Sequence, residues 1–332
     1  MKYCDKAGFT LSGNWYKGNL HSHTINSDGH LTPQESVNLF KQHGYHFLCF
    51  SDHDIYTDYS AQFDSEDFCM LPGLEASAIL MDAEGKNRLK VHHIHGILGT
   101  KKMQMEAAAP LFQHKERLTP PVFYGTWEGA MVAQRLCDSL RARGCFTTYN
   151  HPIWSRVEQE EFIHTKGIDG LEIFNYNTVN ESGTGYDVTY WDVMLRKGIY
   201  MNAVATDDNH NEGLFDDACG GWIMVNAEKL DHDTIVQAFL DGNYYSSAGP
   251  EIYDWGVKND TVYVKCSDVS RINFVAGNCV NAGITVMGNE PDESITQAEF
   301  KLKGNESYVR AECIDAAGKT AWTNPIFLKK AE

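Results

Sequence analysis

Short apolar runs alternate with segments of helical period along most of the chain, and each run breaks off into polar residues. "YKGNLHSHT" is a short strand running into a loop, and "HFLCFSDHD" is an apolar strand ending in charged groups. Between them, Thr32-Pro33-Gln34-Glu35 predicts a helix start, with Thr32 as N-cap, Pro33 in the first helical position and Glu35 closing a capping box. Val37 and Phe40 share one face of that helix and Gly44 ends it. The rhythm returns with a helix around Ala130–Arg143 that stops at Gly144, then "CFTTYNHP", a strand ending at His151. "GIDGLEIFN" is a strand ending near Asn175, a helix near Tyr186–Lys197 stops at Gly198, and "IYMNAVATDDNH" closes in a further polar cluster. Near-continuous apolar strands alternating with helices predict a parallel sheet covered on both faces. Several such units in roughly 245 residues predict a closed (β/α) barrel, a fold whose reactive groups sit at the C-terminal ends of its strands.

Two stretches depart from the rhythm. Lys101–Trp127, with Pro110, Pro120 and Pro121, reads as a long loop or insertion flanking the active site. From about Pro250 come short alternating runs ("TVYVKC", "INFVAG", "AEFKLKG", "SYVRAECID") with turn residues between them and no helical period. They predict a small all-β sandwich. The expected division is therefore 1–248 and 249–332.

Composition narrows the class. The 332 residues are 42% hydrophobic and 22% charged, ordinary for a globular chain with a full core. No apolar run approaches the roughly 20 residues of a membrane span, and "MKYCDKAGFTLSGNW" has no apolar signal core, so a cytoplasmic location and no membrane partner are expected. The nine cysteines are scattered and never form a CxxC pair, which argues for reduced thiols and against a disulfide scaffold or a thiolate zinc cluster. A net charge of −17, from 28 Lys+Arg against 45 Asp+Glu, repels phosphate backbones and excludes nucleic acid as the main partner.

The 14 histidines change the picture, because they cluster. Six stretches place nitrogen and oxygen donors at predicted strand ends: "HSHTINSD" (His21, His23, Asp28), "SDHD" (His53), "PGLE" (Glu75), "HHIHG" (His93), "NHP" (His151) and "TDDNH" (Asp208, His210). Such donors suit Zn, Mn or Fe. His21 and His23, two apart in an extended segment, face the same side, as do Asp208 and His210. Nine ligands of this type carry three negative charges, so three divalent ions would leave an excess of about +3. That excess favours a bridging hydroxide as nucleophile and an anionic ester as substrate. Asp52 and Asp54 are expected to orient His53 from behind, and His92 to point out of the site. His95 shares the face of His93, and Asp207 adjoins Asp208, so both stay open as alternatives.

These motifs resemble the PHP family, named for its polymerase and histidinol phosphatase domains. The resemblance spans roughly residues 16 to 248: HxH with a following acid in "HSHTINSDG", a T/S-D-H strand end in "SDH", P-G-x-E in "PGLE", a His three before Gly at His93 and Gly96, "NHP", and a closing D-x-H at Asp208 and His210. It implies a distorted barrel of seven βα units and three metals. One would lie on His21, His23, Glu75 and Asp208, a second on the shared Glu75 with His93 and His151, and a third on Asp28, His53 and His210. The β tail after "YSSAGP" resembles one in a bacterial subgroup of metallohydrolases with this barrel.

The expected function is hydrolysis at a metal cluster, first of a phosphoester, with Glu75 and Asp208 in the catalytic machinery and Arg156 as phosphate clamp through its planar fork. The alternatives are a carboxylic ester, carbamate or amide hydrolase on the same cluster, and a non-catalytic metal-containing binding protein. A small anionic molecule is the expected partner. Glu172 and Asn175 are expected to brace the barrel.

Overall fold

The computed structural model describes residues 3–11, 13–290 and 293–330. The outermost residues of the two expected domains, 1–2 and 331–332, lie outside the described residues. The chain enters the main sheet at β1 (Asn14–Asn19). Its Gly18 lets the Phe47 ring approach, since a Cβ there would stand 2.1 Å from that ring. Helix α1 (Pro33–Gln42) starts on the capping box: Thr32 Oγ1 accepts from Glu35 N, and Glu35 reaches back to Thr32 N. Val37 and Phe40 are buried on its inner face, and Gly44 follows its end at φ 75°.

The next strands are β2 (Phe47–Phe50), β3 (Cys69–Met81) and β4 (Arg88–Leu98). Then come helix α2 (Gly129–Ala142), β5 (Cys145–Tyr149) and β6 (Gly170–Asn175). Helices α3 (Tyr176–Ser182) and α4 (Val188–Arg196) precede β7 (Asn202–Thr206) and β8 (Trp222–Ala227). Helix α5 (His232–Leu240) leads to β9 (Tyr244–Ser247). After it the chain is all strand: β10 (Ile252–Lys258), β11 (Thr261–Val269), β12 (Arg271–Ala276), β13 (Ile284–Met287), β14 (Ile295–Lys301), β15 (Tyr308–Ile314) and β16 (Thr320–Thr323).

The architecture is mixed α/β. The main sheet runs β7-β6-β5-β4-β3-β2-β1-β8-β9-β16-β15-β12-β13. Pairs β1/β2, β2/β3, β5/β6 and β6/β7 are parallel, as the alternating pattern predicts. By contrast β3/β4 and β4/β5 are antiparallel. The physical reason is the connection: β3 and β4 are joined by the turn around Asp82–Asn87, where Asp82 accepts from Lys86 N and Asn87 N, and so short a link can only reverse the chain. Backbone hydrogen bonds beyond the strands bring the two sides of the sheet together at their C-terminal ends: Asp208 N donates to His21 O (2.9 Å), His23 N to Asn209 O (3.0 Å) and Ser51 N to Ser22 O (2.9 Å).

One apolar core lies between the sheet and helices α2 and α4, with Leu74, Ile94, Leu171 and Ile173 against Ala133, Leu140 and the fully buried Trp191. Lys101–Trp127 packs on the segment that follows His53, where Arg117 pairs with Ile55 and Leu118 N donates to Asp54 O (2.8 Å). Its strand Val122–Tyr124 pairs with the outer end of β3, and Glu116 is held by Arg143 at 2.6 Å. The C-terminal strands enclose a second core of Trp255, Val262, Ile272, Phe274, Val309 and Cys313, between a sheet of Lys6–Ala7, β10, β11 and β14 and the far end of the main sheet. That end is joined to the rest through β9, where Tyr245 pairs with Thr323.

Candidate metal centre

Strand register sets the site. Glu75 pairs with His95, and Ser77 with His93, so Glu75, His93 and His95 share one face of the sheet while His92 takes the other, where it stacks on Trp127. The loops after β1, β2, β5 and β7 deliver the remaining groups to that face. Two of these residues sit at positive φ, His151 at 26° and Asp208 at 57°, a conformation a non-glycine residue holds only when its surroundings fix it. Here the Asp208 N–H bond to His21 O and the His151 N–H bond to Glu172 Oε2 (2.9 Å) fix it.

All nine predicted donors converge. In the first group His21 Nε2 lies 3.0 Å from Asp208 Oδ1 and 3.3 Å from Glu75 Oε1, and His23 Nε2 lies 2.9 Å from Asp208 Oδ1. In the second, Glu75 Oε1, His93 Nδ1 and His151 Nε2 form a triangle of sides 3.3, 3.3 and 3.4 Å. In the third, Asp28 faces His53 Nε2 at 3.5 Å, His210 Nε2 at 3.6 Å and His23 Nδ1 at 3.7 Å. Donors bonded tetrahedrally at about 2.0–2.1 Å to one ion stand roughly 3.3 Å apart, and these separations cluster there. Glu75 belongs to more than one group, since its Oε2 also lies 3.1 Å from His53 Nδ1.

The donor set fits divalent ions on a further observation. His21 Nε2, His23 Nδ1, His53 Nδ1 and Glu75 Oε2 are buried and have no hydrogen-bond partner. Buried polar atoms are seldom left so, and such atoms aimed into one volume form a polar cradle suited to a cation. Three of the rings are anchored through their other nitrogen: His21 Nδ1 by Glu172 Oε1 (2.8 Å), His151 Nδ1 by Ser155 Oγ (3.1 Å) and His210 Nδ1 by the Asp208 carbonyl (2.9 Å). Such anchoring aims the free nitrogen at the cluster.

Electrostatics splits the histidines. Burial, together with the positive charge of His210 and His53, pushes His23 down to about 3, and burial pushes His93 down to about 4. Burial also opposes charge on His21, His53 and His151, but Glu75, Asp208 and neighbouring carboxylates outweigh it. His21 rises well above its usual value, His151 rises, and His53 reaches about 9. Burial would raise Glu75 and Asp208, yet the surrounding imidazoles hold both well below the carboxylate range.

Of the two open alternatives, Asp207 separates by direction, while the Nε2 of His95 is buried without a partner. Asp207 turns away from the cluster and accepts the backbone N–H groups of Cys219, Gly220 and Gly221, each at 2.8 Å. Burial nevertheless lifts its carboxyl to about 7. His95 bonds Thr148 Oγ1 through Nδ1 (2.9 Å) and packs its ring edge-on against His21, with centroids 4.2 Å apart.

Three expectations meet a different arrangement. Asp52 and Asp54 do not orient His53: Asp52 accepts from Thr24 N (2.8 Å) and ties down the loop that carries Asp28, while Asp54, at φ 54°, accepts from Ser77 N (2.9 Å). Arg156 is exposed and does not line the cleft beside the cluster, a cavity of about 360 Å³; the arginine that lines it is Arg88, from the first residue of β4. Glu172 is more deeply engaged than a brace of the sheet. It holds His21, the His151 backbone, Asn175 Nδ2 (3.0 Å) and the Thr206 hydroxyl at once. A carboxylate in the apolar strand "GLEIFN" is a sequence signal for this, whereas Arg88, the exposed first residue of β4, gives none.

No protein-family model matches the chain, nor does any curated protein. Among solved structures it is similar to a two-domain protein from Bacteroides vulgatus described as containing a predicted PHP-like metal-dependent phosphoesterase. The identity there is 13% and the TM-score 0.45, over 96% of both chains. It is also similar to a protein from Bifidobacterium adolescentis provisionally named a metal-dependent phosphoesterase, at 14% identity and TM-score 0.39, over 59% of this chain and 88% of the other. The family in the first description is the one the motifs resemble, but likenesses of this strength add nothing to the argument from geometry. Among the described residues no helix is long and apolar enough to cross a membrane.

Proposed function

We propose that this chain is a metal-dependent hydrolase of small phosphoesters with a trinuclear centre held by His21, His23, Asp28, His53, Glu75, His93, His151, Asp208 and His210. The observation that carries the reading is Glu75, a fully buried carboxylate whose two oxygens face different histidine groups. Divalent Zn, Mn or Fe there would supply Lewis-acid charge for the phosphoryl oxygens and lower the pKa of a water. The chain's own residues do the positioning. Asn150 Nδ2 donates to Glu75 Oε1 (2.7 Å) and fixes its plane, Asn175 Nδ2 donates to Asp208 Oδ2 (3.0 Å), and Glu172 orients His21. Glu75 and Asp208 are the carboxylates placed in the catalytic machinery. In the reaction the water oxygen bonds to phosphorus, the bond from phosphorus to the ester oxygen breaks, and a water proton ends on the leaving alcohol.

A second reading, hydrolysis of a carboxylic ester, carbamate or amide, draws on one feature: among the described residues and apart from histidines, Arg88 is the one basic side chain lining the cleft. The test is a screen of Mn-, Fe- and Zn-loaded protein against a phosphomonoester, a phosphodiester, a carboxylic ester and a carbamate. Phosphoester turnover that a chelator abolishes supports the first reading, and turnover of the carbonyl substrates alone overturns it. We also place the division of the chain at 1–248 and 249–332, with every proposed ligand in the first part.

A further inference from the structure

The cleft beside the cluster has two unlike walls. One is the metal-binding face itself. The other is apolar, formed by Trp154, Leu214 and Phe215. Leu214 is 78% exposed at the mouth, an apolar side chain held in solvent with no core to join. Trp154 is fixed in place: its Nε1 donates to Glu181 Oε2 (2.7 Å), and its ring stands 5.1 Å from His151 and 6.1 Å from His93, centroid to centroid. An indole plate therefore stands directly beside two histidines of the centre.

The charges between the walls are uneven. Arg88 is the single guanidinium among the described lining residues, and it is exposed. Against it stand Glu181 and Glu212, both exposed carboxylates at the rim. Asp217 also lines the cleft, but its Oδ2 is engaged by the backbone N–H groups of His210 (2.7 Å) and Asn211 (2.8 Å). Beyond the histidine cluster the lining is therefore net acidic, and a leaving group that carries further negative charge meets like charge.

We infer that the cleft selects phosphoesters whose leaving group is an uncharged aromatic or hydrocarbon alcohol, received against the apolar lining of Trp154, Leu214 and Phe215, and turns away leaving groups that carry further negative charge. This rests on the phosphoesterase reading of the same site. The leaving group stacks on a fixed indole and covers Leu214, which removes apolar surface of both partners from water. The like-charge rim supplies the exclusion, and specificity of this kind needs such a repulsive element as well as an attractive one.

The experiment compares phenyl phosphate, 4-carboxyphenyl phosphate and glycerol phosphate as substrates of the Mn-loaded protein. In parallel, calorimetry compares the binding of phenylphosphonate and methylphosphonate. The expected result is kcat/KM about tenfold higher for phenyl phosphate than for either other ester, carried mainly by KM, with a matching preference for phenylphosphonate. In the double variant Leu214→Ser/Phe215→Ser, with metal content checked, the phenyl-to-glycerol ratio and the phenyl-to-methyl binding ratio should both collapse toward one. Phosphoester turnover without phenyl preference, or an equal fall on all substrates in the variant, overturns the inference and leaves the phosphoesterase reading standing. Phenylphosphonate preference without turnover of any phosphoester supports the apolar wall and overturns the phosphoesterase reading instead. Absence of both turnover and phosphonate binding overturns both.

Discussion

The two interiors of this molecule are built from opposite materials. Around Glu75 the buried space is polar: His21, His23, Glu75, His95, Asn150 and Asn175 are all sealed from solvent. Between the C-terminal sheets it is Trp255, Val262, Val264, Ile272, Phe274 and Val309. The apolar interior stabilises the chain by burial alone, about 1.5–3 kcal/mol for each large side chain. The polar interior costs free energy unless every group is paired, and at least five of its atoms, on His21, His23, His53, Glu75 and His95, are not. A chain keeps such a region for chemistry and relies on the other for stability.

The sharpest way to break that contrast is to remove the C-terminal strands. A chain ending at Ala248 keeps every proposed ligand, but β9 loses its partner β16 and Lys6–Ala7 loses β10. Phe9, Trp15 and Tyr245, which pack on one another with Phe9 and Tyr245 inside the second core, would face water. The expected outcome is loss of soluble, cooperatively melting protein, checked by soluble yield and a thermal melt. A soluble fragment that melts cooperatively and binds metal would show that the polar interior stands alone.

Next in size, Glu75→Gln should cost at least about a hundredfold in turnover, since a shared ligand carboxylate should matter no less than the outer partners whose loss costs about 10–100-fold. It should also release more than one ion per chain. His210→Ala, at the half-exposed edge with Asp28, should cost about tenfold and at most one ion. Elemental analysis beside kinetics decides it, and equal losses in both variants would remove Glu75 from its shared position.

A smaller effect is expected for Glu172→Gln, which keeps the shape but weakens the bonds to His21 and the His151 backbone. Outer partners of this kind are worth about 10–100-fold in metal affinity. Competition with a chelator measures it, and an unchanged affinity would return Glu172 to the role of a sheet brace.

The parts legible in the sequence are those where a chemical need and a spacing coincide. His21 with His23, and Asp208 with His210, sit two apart at strand ends, and the alternation that put His93 inside put His92 outside. The capping box at Thr32 was legible because it is local. The β3–β4 hairpin was not, since an apolar run long enough to be buried on both faces reads alike in either direction. Asp52 and Asp54 flank His53 in sequence but turn elsewhere, and backbone direction at φ 54° is not written in residue types. Arg88 reaches the cleft from the exposed start of β4, which looks like any solvated surface, through tertiary placement alone.

The smallest expected effect concerns protons standing in for ions. Without metal, His21, His53 and His151 are held protonated above their usual range by Glu75, Asp208 and Asp28. A group whose folded pKa is raised contributes stability that is complete below its unfolded value, about 6.5, and fades as pH climbs through the folded value. For His53 that value is about 9. Metal-free protein should therefore lose stability between about pH 6.5 and 9. The loss should be of order 1–2 kcal/mol once the partial exposure of His53 is discounted, or a few degrees in Tm for a chain this size. In metal-loaded protein the cations replace the protons, and ligands already deprotonated have none to lose, so the same interval should be nearly flat. The gap in Tm between loaded and chelated protein should widen with rising pH, while a substitution confined to the C-terminal core, such as Val262→Ala, should lower both curves together without changing the gap. Parallel curves for loaded and chelated protein across the interval would mean that the ions and the imidazole protons do not share these sites.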